Sequence, residues 1–426
     1  MYRTLVLIPH EIAGLPVFGF GWVLILLVIG AAGFFLYRIR NRQPDDSGQL
    51  PTVASVIMAD ATIWGILAVV VAIVLPWAEL KNLDGEPVGM AIRGYGMFLL
   101  LAVSAAVGLA MYRAPDRGMH SDVILGLAPW LFVGGILGAR LFYVIQYRER
   151  FANAGWVSLF DFTSGGLVVY GSIIGGFLTV VWFTWRHRIS LPRLGDVIIP
   201  CLFIGIALGR LGCLMNGCCF GGRCDDAAYA LHFPDGSPAY VKQLERGHLL
   251  GLEVDPDGRV RQVADGSPAA RRNIAVGDQL KEITAQPIRP ENADLSIPAE
   301  NATQLTALAS IGGRTVSWDA NELPRRALAV YPAQVISAIC SLSLCGLLLF
   351  LSRFYRRDGT LLAIGTAGYT IVRFGLELVR DDELGQLGTA LTISQWVSLI
   401  LFPISVGFLV IFARRMPVAP RLGDIE

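Results

Sequence analysis

Nine apolar stretches, each long enough to cross a bilayer, leave this chain few ways to fold. Crossing the hydrocarbon core takes roughly 20 residues of helix, and every backbone polar group at that depth must be bonded inside its own segment. Val17 to Leu36, Ala61 to Ala78, Gly94 to Tyr112, Gly165 to Trp185, Ala327 to Ser352 and Leu391 to Ala413 contain no Asp, Glu, Lys or Arg. Val123 to Tyr147 carries Arg140, Val197 to Gly222 carries Arg210, and Gly359 to Val379 carries Arg373 and Glu377. The expected fold class is an all-α polytopic membrane protein of about nine transmembrane helices. Composition agrees, because only 16% of the residues are charged, against about 25% in soluble domains. Thirty-five Lys and Arg balance 34 Asp and Glu, which leaves no excess for a polyanion and argues against a nucleic-acid partner. A basic cluster follows the first apolar run and no small-residue cleavage site is evident, so that run is expected to be a helix and not a removed signal.

Basic loops set the orientation. One set holds Arg38, Arg40 and Arg42; Arg113 and Arg117; Arg186, Arg188 and Arg193; Arg353, Arg356 and Arg357; and Arg414, Arg415 and Arg421. The opposite short loops hold Arg3, Lys81, Arg93, Arg148, Arg150 and Arg380. The N-terminus is therefore expected outside the membrane and the C-terminus in the cytoplasm. The long polar stretch Arg223 to Arg326 then falls on the extracytoplasmic side.

Within that stretch, residues 223–326, apolar residues alternate with Asp, Glu, Arg, Pro and Gly, as a small β-rich domain requires. Leu250-Gly-Leu-Glu-Val leads to Val260 to Val263, then Asp265-Gly-Ser-Pro-Ala-Ala-Arg, then Val276-Gly-Asp-Gln-Leu-Lys-Glu-Ile, with Arg314 to Trp318 as a closing strand. This order, over about residues 245–320, resembles a PDZ domain of the bacterial periplasmic kind. Such domains bind peptides by adding a strand to a sheet edge, so the resemblance implies a peptide ligand near the Leu250-Gly251-Leu252 turn. A rigid spacer or self-docked cap is the alternative. The remaining chain divides into two N-terminal helices (residues 1–90) and a membrane core split into 91–222 and 327–426.

An arginine at mid-bilayer costs roughly 2.5–3.5 kcal/mol, so Arg140, Arg210 and Arg373 should each face protein or a wet cavity. Arg373, Glu377 and Arg380 fall on one helix face at spacings of four and three. Several arginines with few carboxylates make an anion site, and the anion at hand in a membrane is a lipid phosphate. Around Arg210 the chain reads Gly209-Arg-Leu-Gly-Cys213-Leu-Met-Asn216-Gly-Cys218-Cys219-Phe-Gly221. Its glycines permit close backbone approach and a non-helical turn, although a helix-packing seam is the bland alternative.

At these residues the sequence resembles prolipoprotein diacylglyceryl transferases. The Gly-Arg-x-Gly-x-x-x-Asn-Gly-x-x-x-Gly frame over Gly209 to Gly221 matches that family's signature. Arg93-Gly-Tyr95-Gly-Met, Gly138-Ala-Arg140-Leu-Phe-Tyr143, Gly165 through Tyr170 to Gly175, Asp196 through Pro200, Tyr331-Pro-Ala-Gln334 and Gly368-Tyr369 through Arg373 and Glu377 to Arg380 match further segments in order. The chain departs from the family at Cys213 and Cys218, which stand for Asn and Glu. Tyr170 and Tyr331 stand for His, and Val335-Ile336-Ser337 for Leu-Tyr-Glu.

The resemblance implies transfer of the diacylglyceryl group of phosphatidylglycerol to the lipobox cysteine of a prolipoprotein, with release of glycerol-1-phosphate and no cofactor. Arg210 and Arg373 are the candidate phosphate holders, Arg140 and Asn216 assist in binding, and Glu377, Arg380 and Asp196 support the site. Tyr170 and Tyr95 are the candidate catalytic phenols, although a phenol titrating near about 10 is a weak base at neutral pH. The arginine field acting on the substrate thiol is the alternative. A catalytically inactive scaffold that binds lipid or lipoprotein through the PDZ-like domain is the rival function, motivated by the missing His, Asn and Glu. A disulfide from Cys224 to Cys218 or Cys219 is expected near the outer boundary, with free thiols as the alternative. Cys-x4-Cys-Cys-x4-Cys is not a common zinc spacing and His232 does not complete one, so no metal is expected.

Overall fold

The computed structural model describes residues 4–41, 52–82, 84–151, 166–224, 228–288, 304–380, 385 and 388–419. Arg3, Arg42, Gly165 and Arg421, named above, lie outside the described residues. A helix occupies each apolar stretch: α1 (Trp22–Arg40), α2 (Val53–Val69), α3 (Gly94–Arg113), α4 (Ser121–Gln146), α5 (Val169–His187), α6 (Leu191–Asn216), α7 (Ala333–Leu351), α8 (Thr360–Glu377) and α9 (Ile393–Arg415). Among the described residues, six of these, α1, α3, α4, α6, α7 and α9, are long and apolar enough to cross a membrane; the other three are shorter or more polar. The chain is a multi-pass membrane protein. Two boundaries differ from expectation for local reasons. α2 starts at Val53, eight residues early, because Thr52 caps it by accepting from the Ser55 N–H at 3.3 Å. α6 stops at Asn216 instead of running to Gly222, because Gly217 adopts a left-handed φ of 75° and ends the helix.

The chain forms two compact units, residues 1–94 with 232–328, and residues 95–231 with 329–426. The first unit holds strands as well as the two helices expected over residues 1–90. Thr4–Pro9, Pro87–Arg93 and Leu80–Lys81 form an antiparallel sheet with Pro87–Arg93 at its centre. Gly89 permits that pairing, since a Cβ there would lie 2.0 Å from the Ile8 carbonyl oxygen.

The soluble part of this unit follows its alternating pattern. Helix Pro238–Glu245 precedes a hairpin of Leu252–Val254 with Val260–Val263, and a short helix, Pro268–Arg271, follows Ser267. The Gly277-Asp278 turn opens Leu280–Ile288, the first of three antiparallel strands with Gln304–Ile311 and Arg314–Trp318. Ala307, Ala309 and Ile311 are buried at a period of two, so one face of the sheet makes a core. Trp318, fully buried, closes it beside Leu250, Leu252 and Val260, and its indole N–H donates to the Pro268 carbonyl at 2.9 Å. Gln304–Ile311 escapes a sequence reading because two of its buried positions, Ala307 and Ala309, are alanines, which strands disfavour.

The second unit packs by small residues. α4 meets α5 along Gly134, Gly138, Gly171 and Gly175; a Cβ on Gly138 would sit 2.4 Å from the Gly171 carbonyl oxygen. α6 packs on α7 and α8, where Gly365 lies against Ile199, Leu348 and Phe203. Asp196, fully buried, caps α8: its carboxylate accepts from the Gly359 N–H at 2.9 Å and the Leu362 N–H at 2.8 Å, and pairs with Arg117 at 3.2 Å.

Candidate functional site

The polar side chains of the second unit gather near the C-terminal ends of α6 and α8. These helices run parallel, because Gly195 meets Leu362, Ile199 meets Gly365 and Phe203 meets Tyr369 in ascending order. Arg210 lies about two turns further along α6 than Phe203, within electrostatic reach of Cys219. Beyond α6 the chain is laced between two other segments. The Cys218 carbonyl accepts from Gln334 Nε2 at 2.8 Å, the Gly221 N–H donates to the Tyr331 carbonyl at 3.1 Å, and the Gly222 N–H donates to the Val379 carbonyl at 2.8 Å. Gly221 is required there, since a Cβ would lie 2.6 Å from that of Tyr331 and 2.8 Å from its carbonyl oxygen.

A first cluster centres on Arg373. Its Nη2 donates to Ser394 Oγ at 2.7 Å, and Nη1 lies 3.1 Å from Glu377 Oε2. Tyr170 Oη is 3.5 Å from the same Ser394 hydroxyl. The Arg373 to Glu377 contact is an ion pair by distance without hydrogen-bond alignment, since neither Glu377 oxygen has a hydrogen-bond partner. Glu377 is buried, with 1% of its side chain exposed, so it fixes the guanidinium by charge. Tyr170, 39% exposed, gives the cluster an accessible side. Ser394 was not legible as a site residue; the available signal was the Thr392-x-x-Gln395 capping box, which sets its position in the first turn of α9.

A second cluster surrounds the end of α6. The sulfurs of Cys213, Cys218 and Cys219 lie within 4.8 Å of one another. Asn216 lies close to Cys218, and Arg210 and Arg380 lie within electrostatic reach of Cys219. Tyr95 rests on Gly212, within electrostatic reach of the three cysteines. All seven cysteines are thiols in this structure, so the disulfide expected from Cys224 to Cys218 or Cys219 is not formed. The helix cap turns Cys218 and Cys219 back toward Cys213, while the Cys224 N–H bonds the Ala329 carbonyl at 3.1 Å.

Arg140 is anchored to the segment just before α5, the helix that carries Tyr170. Buried, it donates to the Gly166 carbonyl at 3.2 Å and stacks over Tyr143 and Phe151 at 5.4 and 5.5 Å. Gly166, with φ +80°, lets the backbone approach that guanidinium. Asp196 lies 14 residues before Arg210 on α6, roughly 21 Å away along the axis, where it caps α8 and touches neither cluster.

These features define a class: an integral membrane protein in which arginines, phenols and thiols meet at one end of a helix bundle. Residues 87–411 match the family described as prolipoprotein diacylglyceryl transferase. The chain is similar to phosphatidylglycerol–prolipoprotein diacylglyceryl transferases of Rhodopirellula baltica, at 39% identity over 95% of this chain and 88% of that one, and of Paraburkholderia xenovorans, at 28% over 76% and 91%. A similar enzyme of Synechocystis matches at 35% over 31% of this chain and 47% of its own. The chain belongs to the prolipoprotein diacylglyceryl transferase family.

Proposed function

We infer that this protein transfers the diacylglyceryl group of phosphatidylglycerol to the lipobox cysteine thiol of prolipoproteins and releases glycerol-1-phosphate. The observation that carries the reading is the near full-length similarity to the Rhodopirellula baltica enzyme. The reaction develops negative charge on the departing phosphate, which preorganised guanidinium groups stabilise. Arg373, held by Glu377 and Ser394, and Arg210, beside the cysteine cluster, are the groups assigned to that phosphate. Asn216 orients the glycerol, Arg380 adds positive charge, and Arg140 shapes the floor through Gly166. Tyr170, through Ser394, and Tyr95, beside the cysteines, are the phenols assigned to the two clusters. The chain makes nine crossings of the bacterial inner membrane, with the N-terminus outside and the C-terminus in the cytoplasm.

The soluble segment is a PDZ-like module that takes a peptide along Leu252–Val254, a strand with one partner among the described residues. The turn before it is supported by Gly251, whose φ is +78° and where a Cβ would lie 2.4 Å from that of Ser267. Leu250 and Leu252 point into the core, so the backbone of that turn, more than its side chains, meets the ligand.

The test is complementation of a strain depleted of its own transferase, followed by detection of diacylglyceryl-modified prolipoprotein and of glycerol phosphate release by the purified protein. Correctly inserted protein that restores neither would leave the scaffold reading in its place.

A further inference from the structure

We propose that Cys213, Cys218 and Cys219 form a three-thiolate zinc site whose open fourth position binds the prolipoprotein thiol as thiolate. The proposal rests on the transferase reading and supplies what that reading lacks, an activator of the nucleophile. Three observations carry it.

The first is distance. In tetrahedral coordination with zinc–sulfur bonds of about 2.3 Å, ligand sulfurs stand about 3.8 Å apart. The three sulfurs here already lie within 4.8 Å of one another. Closing that gap takes side-chain rotation with no change in the backbone path.

The second is how the backbone delivers them. Gly217 ends α6, the Cys218 N–H bonds the Cys213 carbonyl at 3.1 Å, and Gln334 anchors the Cys218 carbonyl from α7. Cys219 then takes a left-handed φ of +56°, uncommon for a residue with a side chain. Glycines stand nearby at 217, 221 and 222, yet the strained position is filled by the residue that brings the third sulfur to the other two.

The third is charge. Three thiolates around a divalent cation leave a single net negative charge, and Arg210 and Arg380 are the cations that act on Cys219. The Asn216 amide lies close to Cys218, where an outer partner that orients a ligand would stand.

Zinc sites with three protein ligands and an open position are those that do chemistry, and a thiol that coordinates zinc is deprotonated. The step balances as follows. The substrate S–H gives its proton to water and its sulfur becomes the fourth ligand. That sulfur attacks the glyceryl carbon, the S–C bond forms, and the C–O bond to phosphate breaks with its electron pair leaving on the phosphate oxygen. The neutral thioether leaves the zinc, which returns to three thiolates. Two of the three ligands, Cys213 and Cys218, occupy positions where the resembled family carries Asn and Glu, so the site belongs to this chain and its like.

The test uses the full-length protein in lipid nanodiscs. Elemental analysis should find one equivalent of zinc, lost in C213S, C218S and C219S but kept in C340S. Cobalt added to chelated wild-type protein should give thiolate-to-cobalt charge-transfer bands that shift with a lipobox peptide containing cysteine and not with its serine analogue. This readout needs no variant, so misfolding of a serine mutant does not decide it. Chelated protein, shown to be metal-free, that still lipidates substrate at the untreated rate would overturn the zinc site and leave the transferase reading standing. Protein that binds cobalt and shifts with the cysteine peptide, yet lipidates nothing when loaded, would keep the thiol site and sink the transferase reading. Absence of both zinc and cobalt bands would also end the proposal.

Discussion

The α4–α5 pair and the soluble head bury themselves by opposite means. In the head, large side chains do the work: Trp318, Leu250, Leu252, Val260 and Ile311 are almost completely buried behind alternating polar residues. Between α4 and α5, glycines do it, with backbone atoms so close that a single added methyl would collide. The outer faces of these helices remain apolar and exposed, as at Phe132, Leu141, Ile173 and Phe177. Lipid offers no hydrophobic reward for covering such surfaces, so close approach and polar contacts decide how the helices meet. Water does reward it, at about 25 cal/mol per Å² of apolar surface, and the head folds accordingly.

The largest departure from this comparison should come from a charge. Replacing Arg373 by Ala removes the cation assigned above to the phosphate and leaves Glu377 buried without its counter-ion. Transfer should fall by about 10²–10³-fold, as when a preorganised donor is lost, read as glycerol phosphate release in nanodiscs. The same variant should lose about 3–5 kcal/mol of stability. R373Q/E377Q should recover most of the stability and none of the rate, which separates the two effects.

Trp318→Ala should cost the head about 3–5 kcal/mol, the usual result of emptying a large buried aromatic site. Proteolysis of the head and its near-ultraviolet dichroism would show it, while the melting of the membrane helices should stay put. Joint melting of both would contradict the division into separately packed regions.

Gly138→Ala should cost about 1–3 kcal/mol through overpacking, since its Cβ would meet backbone and cannot be relieved by a rotamer change. Gly108→Ala on α3 meets nothing within 4 Å and should gain about 0.5–1 kcal/mol from helix propensity. Thermal unfolding in detergent would check the pair, and equal losses at both positions would remove the seam argument.

The smallest effect is in the exposed rim of the head. Glu322 accepts from the Asp319 N–H at 3.0 Å and from Arg272 at 2.7 Å, and the backbone bond first, then the guanidinium, hold its carboxyl below the ordinary value. A depressed folded value means that its contribution is present above the usual carboxylate range and is lost as pH falls through the folded value. Urea unfolding of the protein followed by head fluorescence should show a slight acid-side loss that E322Q abolishes.

That a helix occupies each apolar stretch was readable because each stretch states its own length, although only six of these helices are long and apolar enough to cross a membrane among the described residues. The order Ser267-Pro-Ala-Ala, Gly277-Asp and Arg314 to Trp318 likewise marked a short helix, a turn and a closing strand that the structure contains. Thr4–Pro9 and its sheet partners were not readable, because their pairing joins segments about eighty residues apart and no local pattern records it. The site divides in the same way. Arg373 with Glu377 follows from spacing along one helix, whereas Ser394 reaches Arg373 only because α8 packs against α9. The cysteines were legible as a cluster but not as a geometry: their spacing suggested a bond to Cys224, and the left-handed turn at Gly217 and Cys219 brought Cys213 in its place.

By itself, then, the sequence determined that the chain must be a bundle of membrane helices carrying a polar head, because hydrocarbon accepts only segments that satisfy their own backbone. It also determined the family, through residues kept in order along the chain. Tertiary structure alone decided which arginine meets which hydroxyl, and that three thiols share one corner. Those contacts depend on glycine-set distances between helices and on a single helix cap, and distances between segments are not written in either segment.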